Sequence, residues 1–319
     1  MVGKLTPDDE LSCSVLPQII DPDFPYGTPA QALRRCLDAR EGKEAEFKGN
    51  EQTHLGNLFE PIILQEGCDR LGLTDVELDI QTPFKHPTLP LWCSLDGRAD
   101  GQGKTFVTDP DKGIYVIGQD EITLNGIGPL EAKNTGQRVE DQPVLWRGPI
   151  QLQGQLACIG ATWGALFVLH QGSTMRVFLF ALHPQMQKKI HDSALDFEKR
   201  LNSDPVDWYD IEHHSDPITI YPDVEENQPP KILPAYIEEL AKTIVLAKEA
   251  QANFDMAVED ATLAIQSHMG NHEKAYAGKY EIKWPVRNYK AQPAKTVDAK
   301  PAHSKRMKSI IVKEMGESA

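Results

Sequence analysis

The tightest constraint on the fold is the order in which two periodicities follow one another along the chain. Thr53 offers a helix N-cap, and Leu55, Leu58, Phe59, Ile62 and Ile63 recur in steps of three and four, which predicts an amphipathic helix over about 54–71. From 90 to 133 the texture changes to short β-type runs: 91–95, 105–108, 114–117 and 128–133, with Asp109-Pro110-Asp111-Lys112-Gly113 as a turn between the second and third. A helix is expected at 149–162, a strand pair at 165–170 and 175–180, and a helix at 184–201. Helix, meander, helix, strand pair, helix describes an α/β chain of the α+β kind, a mixed sheet flanked by helices.

Upstream, the proline-rich run 21–29 leads into an expected helix from Ala30 to about Glu41. At 319 residues the chain exceeds what one core organises well, so a main domain over 1–201 is expected to carry an appendage. Residues 202–234, rich in Asp and Pro, read as a connector, and 235–319 as a helical and basic extension. In that extension Ile237, Leu240, Ile244, Ala247, Phe254, Val258, Ala261 and Ile265 step by three and four, interrupted at Gln251. A helix of that extent is about 45–50 Å long and suits a hairpin arm or an oligomer contact.

The net charge of −14 argues against simple binding to polyanions, yet residues 279–313 carry ten Lys/Arg against Glu281 and Asp298. No run of about 18 apolar residues exists and the N-terminus lacks a leader-like apolar run, so a cytoplasmic protein with no membrane association is expected. The five cysteines are scattered singly without ligand spacing and read as buried thiols.

The chemistry concentrates in Ser94-Leu95-Asp96-Gly97 and, 35 positions after Asp96, Glu131-Ala132-Lys133. In a strand Glu131 and Lys133 face the same side, so a carboxylate and an ammonium stand together. If Asp96 ends a neighbouring strand, two carboxylates converge and call for a hard cation, Mg²⁺ by preference with Mn²⁺ as substitute. Lys133 could then polarise or deprotonate a water. Taken singly, a Glu-x-Lys is often a surface ion pair and an Asp-Gly a turn.

Two further elements accompany them. His54 to Pro61 puts Glu60 on a helix one turn after Gly56, a glycine that leaves room either for a ligand or for close packing. Gln151-Leu152-Gln153-Gly154-Gln155 offers neutral amides on the helix after Lys133, or simply a solvated face.

In this order the motifs, with Leu11-Ser12-Cys13-Ser14, resemble the lambda exonuclease and YqaJ-type viral recombinase family over roughly residues 10–200. The resemblance implies a restriction-endonuclease-like core and a Mg²⁺-dependent 5′ to 3′ exonuclease on duplex DNA ends, phage- or prophage-encoded, serving recombination. It further implies a single-strand annealing partner and a ring-forming homo-oligomer, a trimer by preference. Carried over by motif, Asp96, Glu131 and Glu60 are metal-associated, Lys133 catalytic, and Gln153 and Gln155 close to the reaction. Ser14 falls in the family's serine-rich segment, but no arginine lies at 5–11, so Arg34, Arg35 or Arg40 stands in for a 5′-phosphate contact, and Arg147 is a further DNA-binding candidate. The long interval between Asp96 and Glu131 predicts an extra hairpin near Asp109 to Gly113 and leaves Asp100 as a rival ligand. An endonuclease on the same core and a non-catalytic DNA-end binding module are the alternative functions.

Overall fold

In the computed structural model, which describes residues 5–43, 49–78, 80–223 and 229–285, the chain falls into two units, 1–221 and 222–319. The first opens with a short helix α1 (Leu16–Ile20) and then α2 (Pro29–Arg40). Thr28 and Gln31 close a capping box on α2, each side chain bonding the other's backbone N–H. The next helix, α3 (Glu51–Leu71), starts three residues before the expected N-terminus, because Asn50 Oδ1 accepts from Thr53 N at 2.9 Å and is the cap. Its apolar stripe is split. Ile63, Leu64, Cys68 and Leu71 are buried, whereas Leu55, Leu58 and Ile62 stay exposed.

Eight strands follow before the next helix: β1 (Val76–Leu78), β2 (Phe84–Lys85), β3 (Trp92–Cys93), β4 (Gly97–Asp100), β5 (Lys104–Val107), β6 (Ile114–Ile117), β7 (Glu121–Leu124) and β8 (Ile127–Thr135). Then come α4 (Pro149–Ile159), β9 (Trp163–His170), β10 (Thr174–Ala181), α5 (Pro184–Leu201) and the short α6 (Asp216–Ile220). The main sheet is mixed, in the order β1-β4-β8-β9-β10-β6, with β8/β9 and β10/β6 parallel and the other pairs antiparallel.

The expected hairpin near Asp109 is present as a single antiparallel bridge, in which Asp109 and Ile114 exchange both backbone hydrogen bonds around the turn. A 3₁₀ turn at Pro110–Lys112 sends β6 to the edge of the main sheet, while β5 and β7 pair as a separate ribbon. Of the expected strand 91–95 only Trp92 and Cys93 pair, with β2.

The central strands are covered on both faces, which is why they read as near-continuous apolar runs. Leu130, Ala132 and Phe167 pack with Ile63 and Leu64 of α3. On the opposite face Leu166, Val168 and Phe178 pack with Leu152 of α4. Gly67 lets α3 approach the sheet, since a Cβ there would lie 2.4 Å from the Phe167 ring.

Residues 202–221, the first part of the stretch that composition marks as connector, pack on the first unit. Trp208 and Tyr209 lie against its core, and Arg34 donates to Thr219 O and Ile220 O. The second unit holds the 34-residue α7 (Tyr236–Met269) and a hairpin of β11 (Lys274–Ala277) and β12 (Tyr280–Lys283). The basic stretch beyond 285 lies outside the described residues. Among the described residues no helix is long and apolar enough to cross a membrane.

Candidate active site

Strand pairing brings the separated motifs together. Gly97 pairs with Leu130 across β4 and β8, so Asp96, one residue earlier, stands level with Glu131. Asp96 Oδ2 accepts from Ala132 N at 2.9 Å, which fixes the carboxylate at the mouth of β4. Glu131 and Lys133 share the sheet face that packs against α4, and Lys133 Nζ donates to Glu131 Oε1 at 2.5 Å and to Gln151 Oε1 at 3.1 Å. Glu131 is 1% exposed, and its second oxygen accepts from Gln155 Nε2 at 2.6 Å. Gln155 also donates to Ser94 O, so one amide ties α4 to both halves of the motif.

The electrostatics follow from that crowding. Burial, and then the neighbouring carboxylates Glu131 and Glu60, push Asp96 well above the usual carboxylate range; Lys133 and the Ala132 N–H pull the other way without prevailing. For Lys133 burial favours the neutral amine, but Glu131, Asp96 and Glu60 outweigh it and raise its pKa, so it is an ammonium at neutral pH. With Asp96 ionised, the three carboxylates against one ammonium leave a surplus of two negative charges, which a divalent cation would balance. The donor set is all oxygen, which selects a hard ion of the Mg²⁺ or Mn²⁺ kind. Gln155 Oε1, on the amide whose nitrogen holds Glu131, is buried without a hydrogen-bond partner.

The residues therefore fit such a cation in charge and chemistry, although the three carboxylates are not drawn tightly together. Among the described residues, three metal-capable atoms within 4.8 Å of one another occur at Cys13, Cys93 and Cys158. That trio is a poor cation site. Three thiolates around a divalent ion keep a negative charge in an apolar core, and although hydrogen bonds from Cys13 and Cys93 hold Cys158 down at about 4, burial pushes Cys13 well up and opposes ionisation of the whole set. All five cysteines are free and buried, and the trio packs as small apolar side chains.

Several residues singled out in the sequence stand elsewhere. Gln153 does not reach Glu131 or Lys133: its Nε2 donates to Ala181 O and its Oε1 accepts from His183 N and Gln187, stapling α4 to β10 and α5. A helix turns 100° per residue, so positions 151 and 155 share a face that 153 cannot. Gln151 is the residue the sequence reading passed over. Asp100 pairs opposite Ile127, at the far end of β4 from Glu131, and accepts from Gln102 N; it is no rival ligand.

Arg34 is committed to the chain itself, bonded to backbone carbonyls near α6 and stacked over Trp208 at 4.7 Å. Arg40 likewise holds Leu201 O and Asn202 Oδ1. Arg35 is exposed and donates to Gln18 Oε1 at 2.5 Å, while exposed Ser14 pairs with Ser12 at 3.0 Å. Arg147 ion-pairs with Glu140 at 2.6 Å and lies over Trp146. Sequence reading gave no signal for Arg176, which register places level with Lys133 two strands away through Val168, beside Asp141 at 3.6 Å.

The chain matches no family model and no curated protein sequence. Among solved structures it is similar to LHK-Exo in complex with dAMP, at 15% identity over 63% of this chain and 91% of that one, with a TM-score of 0.44. A second structure of LHK-Exo, an alkaline exonuclease from Laribacter hongkongensis, is similar at 13% identity over 62% and 90% of the two chains and a TM-score of 0.43. A phage related exonuclease from Haemophilus somnus is similar at 13% identity, over 60% and 92%, with a TM-score of 0.39. Likeness at this level transfers no residue roles.

Proposed function

We propose that this chain is a metal-dependent DNA nuclease that degrades duplex DNA from its ends. The observation that carries the reading is the convergence of Asp96, Glu131 and Lys133 on one end of β4 and β8, with Gln151 and Gln155 holding the last two in place. Asp96 and Glu131, with Glu60 from α3, would hold Mg²⁺ or Mn²⁺. When bound, such an ion supplies Lewis-acid stabilisation of charge on the scissile phosphate and a more acidic water.

Lys133 enters this chemistry protonated, because its pKa is raised. As an ammonium it donates to the attacking water or to a phosphate oxygen and offsets charge that develops during cleavage; it does not begin as a base. Gln151 Oε1 accepts from that ammonium and aims it, and Gln155 aims Glu131. Arg147 and Arg176, each beside a carboxylate on the same end of the sheet, are the phosphate contacts we assign to the approaching strand.

Duplex-end preference, 5′ to 3′ polarity, 3′ overhangs as product, a role in phage recombination, an annealing partner and a trimeric ring all rest on the motif resemblance. Arg35, with Ser14, is the remaining candidate for a terminal 5′-phosphate. The decisive experiment offers linear duplex labelled at the 5′ or the 3′ end, and closed circular DNA, with Mg²⁺, with Mn²⁺ and with chelator. Early release of the 5′ label from linear DNA, with the circle intact, is expected. A nicked or cut circle would replace the exonuclease by an endonuclease, and no metal-dependent cleavage of any substrate would leave a binding module.

A further inference from the structure

The helix α7 runs 34 residues, and Met269 is its one buried residue. Ile237, Ile244, Gln251, Val258 and Ile265 fall seven apart, and Leu240, Ala247, Phe254, Ala261 and His268 do the same three places later. This is an a/d heptad over more than four repeats, with two polar residues in the seam, Gln251 at an a position and His268 at the last d position. Leu240, Phe254 and Val258 are more than half exposed, so among the described residues the stripe lacks the partner its period calls for.

We propose that α7 pairs with α7 of a second copy of this chain as an antiparallel two-helix coiled coil. Three observations choose the second copy and the orientation. First, in antiparallel pairing each a residue faces a d residue. With residue n opposite residue 505 minus n, Tyr236 meets Met269 and the two helices overlap over their full length.

Second, that register sets large against small at Ile244 and Val258, while Gln251 meets Phe254 and Ile237 meets His268. Ile244 faces Ala261 of the second copy and Val258 faces its Ala247, while Ile265 faces its Leu240. A parallel pair would instead oppose Ala247 to Ala247 and Ala261 to Ala261, leaving gaps. The positions flanking the seam, Ala241, Thr243, Ala250, Ala257, Thr262 and Ala264, are small and permit close approach.

Third, charge is complementary. Lys248 and Asp255 occupy e positions, and neither has an ion pair with a described residue of its own chain. In the antiparallel register e faces e, so Lys248 meets Asp255 of the second copy, and symmetry makes the contact twice. In a parallel pair Lys248 would face Thr243 and Asp255 would face Ala250, with no charge satisfied.

Light scattering of the full-length chain across a dilution series tests this, with circular dichroism to check helix content. Lys248→Glu places like charges at both contacts; it is expected to weaken pairing roughly tenfold and so to move the concentration at which the mass is halfway to the unpaired value about tenfold higher. The double variant Lys248→Glu, Asp255→Lys restores the contacts reversed and returns pairing to within about twofold of wild type. A shift of that midpoint is read for a monomer–dimer equilibrium and for two rings joined through α7 alike, so the test does not depend on the nuclease reading. A midpoint that Lys248→Glu leaves unchanged, a double variant as weak as the single one, or a wild-type chain that stays monomeric at every concentration would overturn the proposal.

Discussion

The β8 region and α7 are opposite solutions to placing charged side chains on a regular element. On β8, Glu131 is buried and both its oxygens have partners within the chain, and Lys133 is pinned between Glu131 and Gln151. On α7 nearly every side chain is solvated and Lys248 and Asp255 have no ion-pair partner among the described residues, although the heptad is regular. Chemistry is encoded in the first region by contacts the chain makes with itself, and assembly in the second by contacts it leaves unmade. A group desolvated and held in geometry can change a reaction barrier by several kcal/mol, whereas an exposed charge pair contributes less than about 1 kcal/mol.

The sharpest way to break that contrast is Lys133→Ala. It removes the ammonium beside Glu131 and is expected to lower cleavage by about 10²–10⁴-fold. DNA affinity, measured with chelator present, should stay near wild type because the arginines remain. Turnover at the wild-type rate would take Lys133 out of the mechanism.

Next in size is the cation. Asp96→Asn and Glu131→Gln each remove an anionic oxygen donor, and calorimetry should show Mg²⁺ affinity and activity falling together. Asp96 also gives the metal-free protein a pH signature. Its folded pKa lies above the unfolded value of about 4, so between the two the native state holds the extra proton and stability falls as pH rises, levelling off above the folded pKa. Asp96→Asn should flatten that slope. A metal-free melting curve whose pH dependence survives the substitution would assign the titration to another group.

The two buried glutamines sharpen the comparison within one helix. Gln155→Ala frees Glu131 and should lower activity by about 10–100-fold, the range for a residue that orients a ligand. Gln153→Ala leaves His183 N without an acceptor and should destabilise the fold by about 1–3 kcal/mol with turnover retained. Equal losses of activity in both would mean that α4 responds as a whole.

What sequence could reveal divides along the same line. Periodicity located α3, α4, α5 and the pair β9/β10 to within a few residues, because each buries a face that its own period records, and α7 by an apolar stripe that the chain leaves exposed. It missed β1, β2, β4, β7 and the hairpin of β11 and β12. Gly97-Arg98-Ala99-Asp100 has no strand-like composition, and it is a strand because Leu130 and Leu78 lie on either side of Gly97. The D…ExK motif was legible since strand alternation fixes Glu131 and Lys133 by themselves. The support around it was less so: Gln151 in place of Gln153 follows from helix geometry already present in the sequence, whereas the commitment of Arg34 to Thr219 and Ile220 depends on a contact 185 residues away.

The smallest expected effect concerns Gly56, one turn before Glu60. A close-packed helix would give it a neighbour, as Phe167 is for Gly67, but a Cβ at Gly56 would meet nothing within 4 Å. Packing therefore does not require this glycine, and alanine should stabilise α3 by about 1 kcal/mol. The adjoining Leu55, Leu58 and Ile62 are exposed, so this face of α3 is apolar, bare and next to a carboxylate of the candidate site. That is a surface suited to the flank of a bound strand, where a methyl group intrudes. Gly56→Ala is thus expected to raise the melting temperature and weaken DNA binding a few-fold in the same protein. A gain in stability with unchanged DNA affinity would show that the strand does not run along α3, and would leave the phosphate path to Arg147 and Arg176 across the sheet.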